Sequence, residues 1–283
     1  MRVGIVSPGA MGSAVGKTLL ECGVEVVATL DGRSGRTAKL ARAAGIDCLS
    51  GLDDVVGSAD VVLSISPPGE AEAIARAVGE AAGRTGARPL VADLNAISPE
   101  SSRRIEAALD LDFVDGSISG PPPARPGTTR IYVSGPRAAE IAALPFAGVE
   151  LVRVGDEVGS ASAVKMCTAS IYKGTAALLT QALVTARANG VLPFVLDDLD
   201  DRADGAARTI ASAASKAARY VGEMHEIAAT QAAAGLTPDL FEAMATLYAE
   251  LAERPLARQA PEDVDPTAAL EDVLRGVAPE TPS

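Results

Sequence analysis

Residues able to exchange a proton near neutral pH are scarce in this chain: one histidine, His225, and five lysines, Lys17, Lys39, Lys165, Lys173 and Lys216, beside 20 arginines. A single histidine removes any two-histidine metal site and makes a Ser-His-Asp arrangement depend on that one residue. The cysteines, Cys22, Cys48 and Cys167, are odd in number and far apart, so neither a disulfide framework nor a zinc-ligand spacing is suggested. The segment Ser7-Pro8-Gly9-Ala10-Met11-Gly12 carries more information, because it follows the apolar run Arg2 to Ser7 and leads into an amphipathic stretch through Leu20. Strand, glycine turn and helix N-terminus in that order hold a pyrophosphate: glycine lets the backbone approach the phosphates, and free amides with the helix dipole face the charge. Against the pattern G-x-G-x-x-G the first glycine has become Ser7. Dinucleotide binding by Gly9, Ala10, Met11 and Gly12 is expected. Gly16-Lys17-Thr18 ends like a Walker A loop, but that motif needs glycine where Met11 stands, so Lys17 reads as a solvent-facing helix residue.

The second apolar run, Val24 to Leu30, ends at Leu30-Asp31-Gly32-Arg33-Ser34, with Asp31 19 residues beyond Gly12, where the adenosine ribose belongs. An acid there accepts the ribose hydroxyls of NAD, whereas arginine and serine bind the 2′-phosphate of NADP. Both kinds are present. Arg33 and Ser34, with Arg36 nearby, favour NADP, and Asp31 is read as pointing away or capping the turn; NAD is the alternative. Ser66 and Pro67 close the run Asp60 to Ser66, and Asn95 closes the run Leu90 to Asn95. Ligands of open α/β sheets bind at the carboxyl ends of strands, so these three are assigned to the cofactor, Asn95 toward the nicotinamide ribose.

The elements that must position these residues follow from the hydrophobic pattern. Further β-branched runs occur at Phe113 to Gly116, Thr129 to Ser134 and Leu151 to Val154, separated by alanine-rich stretches of helical length. Several runs are near-continuously apolar, as strands buried on both faces are. Ser98-Pro99-Glu100 offers an N-cap, a first-turn proline and an acid at a helix start. The pattern predicts an α/β fold: a doubly wound, mostly parallel Rossmann sheet over residues 1–155, followed by an all-α domain over 156–283 with a mobile tail after about 278. Helix breaks are expected around Gly190 to Pro193 and Gly235 to Pro238, and one short helix at Thr267 to Val277. The acidic run Asp197 to Asp204 is read as complementing the N-terminus of a long helix rather than as a metal site.

Composition bounds the function. The 283 residues include 55 alanines, eight aromatics and no tryptophan, with 22% charged and net charge −12. Residues 1–155 hold 15 basic and 18 acidic residues, a charge of −3, which leaves −9 for the helical part. An acidic chain without a basic stripe repels a phosphate backbone, so no nucleic-acid partner is expected. No uncharged apolar run approaches the ~18 residues of a membrane span, and the chain enters a strand directly after Met1. A soluble cytoplasmic protein is expected.

Four segments together resemble a known family. Ile5-Val6-Ser7-Pro8-Gly9-Ala10-Met11-Gly12, Asp93-Leu94-Asn95-Ala96-Ile97-Ser98-Pro99, Val114-Asp115-Gly116-Ser117-Ile118-Ser119-Gly120 and Gly159-Ser160-Ala161-Ser162-Ala163-Val164-Lys165-Met166 occur in this order at family-like separations. The chain is similar to the 6-phosphogluconate and β-hydroxyacid (3-hydroxyisobutyrate-type) dehydrogenases, and within them to a branch with a variant helical C-terminal domain. The resemblance implies hydride transfer between a nicotinamide cofactor and a hydroxyl or carbonyl group, with Lys165 as general acid and base, and a homodimer paired through the helical domains. A lysine partly desolvated near oxidised nicotinamide would have a lowered pKa, which suits that role. Ser119 and Gly120 match the segment that grips the substrate carboxylate. Helical spacing puts Thr168 and Tyr172 on the face of Lys165, as further substrate contacts.

The sequence also departs from the family. The asparagine usual four residues after the lysine is Ala169, and the glycine usual after Gly120 is Pro121, followed by Pro122 and Pro123, which removes an amide donor and stiffens the loop. Both departures argue against an ordinary 3-hydroxy acid substrate. Two other readings stand beside the dehydrogenase: an imine reductase of related architecture, although those enzymes usually carry aspartate or tyrosine in place of Lys165, and a cofactor-binding protein whose chemistry has lapsed. Lys173 is read as a surface residue in preference to a substrate contact, and His225 as an ordinary histidine on a late helix.

Overall fold

The computed structural model describes residues 1–279. It divides into two compact units, 1–166 and 167–283. The first alternates strands and helices: β1 (Arg2–Val6), α1 (Ala10–Leu20), β2 (Glu25–Thr29), α2 (Gly35–Ala44), β3 (Asp47–Leu49), α3 (Leu52–Ser58), β4 (Val61–Ser64), α4 (Ala71–Thr85), β5 (Leu90–Asp93), α5 (Pro99–Ala108), β6 (Phe113–Ser119), β7 (Arg130–Ser134), α6 (Ala138–Ala142) and β8 (Glu150–Gly155). The strands form one sheet in the order β3-β2-β1-β4-β5-β6-β7-β8. The first six are parallel; β7 turns antiparallel to β6, and β8 runs parallel to β7. This is the doubly wound arrangement expected from the apolar runs. The one strand not anticipated is β3, three residues at the sheet edge, too short to show a period.

Strand alternation builds a core on each face of the sheet. Val3, Ile5, Val26, Ala28, Val61 and Leu63 pack with Val15 and Leu19 of α1 on one side. Val6, Val62 and Val91 pack with Val56, Val78 and Ile105 of the helices on the other. Order reverses between β1 and its neighbours β2 and β4, so a crevice opens above the carboxyl end of β1.

The sheet ends with β8 at Gly155, near the boundary expected from composition, but the division into compact units comes eleven residues later, inside α7 (Ser160–Ala188). The cause is local: the first turn of α7 is hydrogen-bonded to the side chains of Asp115 and Ser134 in the sheet. Beyond α7 come α8 (Leu192–Leu199), α9 (Ala206–Ala214), α10 (Ala217–Ala233), α11 (Asp239–Ala252) and α12 (Leu270–Val277). These helices are alanine-rich, and Ala211, Ala214, Ala217 and Ala228 are buried, as are Ile210, Met224, Ile227 and Leu274. The acidic run is placed differently from the expectation. Asp197 and Asp198 lie in the last turn of α8, and Asp200 and Asp201 open a short 3-10 turn; α9 begins only after Gly205. In place of one long helix beginning at the acidic run, the chain ends α8 at Leu199, makes the 3-10 turn, and starts α9 from Gly205 in the left-handed conformation. The tail expected to be mobile lies largely at 280–283, outside the described residues.

Candidate active site

The turn after β1 keeps the geometry of a phosphate loop despite its serine. Ser7 takes the left-handed conformation, φ 69°, that the first glycine of the motif normally supplies. The Gly9 amide donates to the Ser7 carbonyl at 2.8 Å, and Ser13 is tied back to Pro8 at 2.6 Å. A Cβ on Gly12 would stand 2.6 Å from the Ser7 carbonyl oxygen, so this position admits no side chain. A Cβ on Gly9 would meet nothing within 4 Å. Gly9 is the N-cap of α1, no side chain caps that helix, and its first turn carries no acid. The opening of α1 thus presents amides without intrahelical acceptors, and its positive dipole end, to open space. The residues present fit a pyrophosphate. Lys17 lies exposed beside Glu21 at 3.9 Å, as a solvent-facing helix residue.

At the end of β2, Asp31 and Gly32 form a tight turn closed by the Arg33 amide on the Leu30 carbonyl at 3.0 Å. Asp31 is exposed, and its amide bonds the Thr29 hydroxyl at 3.2 Å. The Ser34 hydroxyl caps α2 by accepting the Thr37 amide at 3.2 Å. The Arg33 guanidinium stands 3.8 Å from the Glu70 carboxylate.

Asn95 is buried as a brace between strand ends. Its amide group donates to the Asp93 carboxylate at 2.7 Å and to the Ser64 hydroxyl at 3.1 Å, and its oxygen accepts the Ser66 amide at 2.5 Å. Both amide protons are engaged inside the protein and the oxygen supports the Ser66-Pro67 turn, at the strand end where the sequence places Asn95 toward the nicotinamide ribose. Asp93, fully buried beneath it, was not singled out in the sequence. Burial pushes its carboxyl up to about 7 against the opposing bonds from Asn95, and the charge of Asp115 on the neighbouring strand adds to the rise.

Asp115 is a second buried carboxyl to which the sequence reading gave no role. One carboxylate oxygen accepts the Gly159, Ala161 and Ser162 amides at 3.0, 3.0 and 3.1 Å and the Ser134 hydroxyl at 2.8 Å. The other accepts the hydroxyls of Ser102 and Ser162 at 2.9 and 2.6 Å. A charge from the sheet therefore caps α7, the helix that carries Lys165. The available signal was an acid within an apolar run.

Lys165 extends its Nζ to the Ile118 carbonyl at 2.7 Å, at the carboxyl end of β6. Ser119 and Gly120 follow Ile118 directly, so the structure brings the proposed acid/base and the proposed carboxylate grip together. Gly120 has φ 105°, and a Cβ there would lie 2.3 Å from the Thr128 carbonyl oxygen. The proline loop is held from the same side by Thr129, whose hydroxyl donates to the Pro121 carbonyl at 2.7 Å. Thr168 is half-buried and Tyr172 is 73% exposed, farther along α7 in the second unit, while Ala169 between them is buried.

Two residues differ from the sequence reading or sharpen it. Lys173 is buried, not on the surface; its ammonium pairs with the Glu223 carboxylate and lies 4.7 Å from the Tyr220 ring. The 3.6-residue period placed it correctly on α7, but the partner that makes its burial tolerable sits 50 residues away. His225 is exposed, with Nδ1 2.8 Å from Glu242 on α11. Among the described residues no cluster of acids, histidines and cysteines could hold a metal ion.

Known proteins share parts of this sequence and its fold. Residues 2–86 match a family described as NADP oxidoreductase, coenzyme F420-dependent, and residues 186–251 match a domain of unknown function, DUF1932. The solved structure of the conserved protein MTH1747, described as structurally similar to 3-hydroxyacid dehydrogenases, is 32% identical, covers 89% of this chain and 97% of its own, and superposes with a TM-score of 0.67. A 3-hydroxyisobutyrate dehydrogenase of Pseudomonas aeruginosa is 29% identical over 155 residues, 52% of each chain. The Mycobacterium tuberculosis 3-hydroxyisobutyrate dehydrogenase shares the fold at 21% identity, with 96% and 98% coverage and a TM-score of 0.68. With its phosphate turn, its Lys165 beside Ser119-Gly120 and these relatives, the chain belongs to the 6-phosphogluconate and β-hydroxyacid dehydrogenase superfamily of NAD(P)-dependent oxidoreductases, in a branch with a variant helical C-terminal domain.

Proposed function

We propose that this protein moves a hydride between NADP(H) and a small, anionic carbonyl or hydroxyl compound, with Lys165 handling the proton. The observation that carries the reading is the bond from Lys165 Nζ to the Ile118 carbonyl, next to Ser119 and Gly120 and in the same unit as the phosphate turn. When bound, the nicotinamide supplies or takes the hydride. Reduction of a carbonyl leaves charge on its oxygen, and Lys165 delivers a proton to that atom; in the reverse direction it takes the hydroxyl proton. The bond to Ile118 holds the ammonium at the end of β6 rather than leaving it to sweep through solvent. The Ser119 hydroxyl and the Gly120 amide are the donors for a substrate carboxylate, with Thr168 and Tyr172 as further contacts. Because Pro121 contributes no amide, one donor fewer is available than in the family pattern, which favours a substrate other than an ordinary 3-hydroxy acid.

Arg33 is the group we assign to the 2′-phosphate, with Ser34 beside it; Gly9, Ala10, Met11 and Gly12 hold the pyrophosphate, and Ser66 and Pro67, braced by Asn95, approach the nicotinamide half. No helix among the described residues is long and apolar enough to cross a membrane, and the reading places the enzyme in the cytoplasm as a homodimer. The test is a fluorescence titration with NADPH and NADH, then turnover on a panel of aldehydes, keto acids and imines by the native protein and Lys165→Ala. Replacing a positioned acid/base should lower kcat by about 10²- to 10⁴-fold with nucleotide affinity little changed. Turnover unaffected by Lys165→Ala sinks the mechanism, and binding without turnover on any compound favours a lapsed enzyme.

A further inference from the structure

We infer that Glu70 sets how sharply this chain separates NADP from NAD, by competing with the 2′-phosphate for Arg33; the inference rests on the dinucleotide reading above. Strand order puts β1 between β2 and β4, so the loops after β2 and β4 flank the phosphate turn that follows β1. Arg33 lies in the first flanking loop, and Glu70 in the second at the N-cap of α4. Two strand spacings, about 10 Å, separate the strands that lead into these loops. The two side chains reach across, bringing Nη1 of Arg33 to 3.8 Å from Oε2 of Glu70.

Glu70 closes the 3-10 turn Pro68–Glu70 that runs into α4, where the Ala71 amide already donates to the Pro68 carbonyl, and its side chain makes no cap bond to the helix, which leaves the carboxylate to Arg33. The ion pair itself adds little to folding, since the contact is long and the Glu70 side chain is 54% exposed. The Arg33 side chain is only 26% exposed, which limits screening of whatever charge stands beside it. A guanidinium grips a phosphate by paired, charge-assisted hydrogen bonds, which a single carboxylate at 3.8 Å does not match. NADP therefore has to part Arg33 from Glu70. NAD has no phosphate and leaves the pair in place. Arg33 draws NADP in, and Glu70 moderates that preference.

The test follows binding and not turnover. Wild type, Glu70→Gln, Arg33→Gln and the double variant are titrated with NADPH and NADH by nicotinamide fluorescence, with thermal unfolding of each free protein as the folding control and Glu70→Ala as a second removal of the charge. Glu70→Gln should raise the NADPH-to-NADH affinity ratio by about fivefold or more, a shift well inside the range of single charge contacts. Arg33→Gln should lower that ratio, and in its background the effect of Glu70→Gln should disappear. A ratio unmoved by Glu70→Gln and Glu70→Ala, or moved equally with and without Arg33, overturns the competition while dinucleotide binding stands. Failure of the wild type to bind either nucleotide instead removes the dinucleotide reading, and this inference with it.

Discussion

Asp93 shows how a single buried carboxyl can tie stability to pH. Its folded-state pKa is raised from 3.8 to about 7, so the protonated form is the one the interior favours. The sign follows: its contribution to stability is fully present below the unfolded pKa and is lost as pH rises through the folded pKa. Between pH 5.5 and 8 this residue should withdraw about 2 kcal/mol of stability. Urea unfolding of wild type and Asp93→Asn at both pH values reads the effect, because groups that do not interact with Asp93 cancel in the difference. The advantage of wild type over the variant should shrink by about that amount at pH 8; a pH-independent difference would mean that Asp93 is charged throughout. Its neighbour Asn95 was legible in the sequence as a residue at a strand end, but its role as a brace was not, since the Ser64 hydroxyl and Ser66 amide that engage it come from another strand.

The attachment of α7 belongs to the scale of elements. That helix has no acid in its own first turn, and Asp115 of β6 takes over the work of an N-cap. Removing the charge leaves buried amides and hydroxyls without their acceptor, a loss that costs several kcal/mol when a buried network is broken. Asp115→Asn should lower unfolding free energy by about 3 kcal/mol and speed hydrogen exchange at the Ala161 and Ser162 amides; a loss under about 1 kcal/mol would show that the cap is dispensable. The run containing Asp115 was recognisable as a strand, and Lys165 as a residue on a helix. That one anchors the other was not recognisable, because 50 residues separate them in the chain. The buried pair of Lys173 and Glu223 repeats the lesson on α7 and α10. Periodicity assigns a residue to a face, and only the neighbouring helix decides whether that face is wet.

For the whole molecule, the unexplained feature is apolar surface on the helical unit. Seven of the nine large apolar residues exposed among the described residues lie in it, including Ile171, Leu178 and Phe194 at 68, 60 and 75%. Ile171 and Leu178 are seven residues apart on α7, hence on one face, and α8 has no buried residue although it carries Leu192, Phe194, Val195 and Leu196. Apolar surface of this kind marks an interaction site, and the second copy proposed above would cover it. Sedimentation of the wild type should give twice the chain mass, and Ile171→Glu combined with Phe194→Glu should give single chains with the helical content retained. A wild type that sediments as one chain would remove the homodimer.

The amino-acid sequence by itself determined the layered fold and the glycine turn after β1, since both rest on local patterns, apolar runs of strand length and glycines next to a strand end; the lysine proposed as proton carrier came from the family resemblance. The scarcity of lysine and histidine left few other candidates for that proposed role. The tertiary structure alone decided the partners of charge. It placed Asp115 on α7, Asp93 under Asn95, Glu223 on Lys173 and Glu70 on Arg33. Charges interact through space and with strengths set by burial, and neither distance nor burial is written in the order of residues.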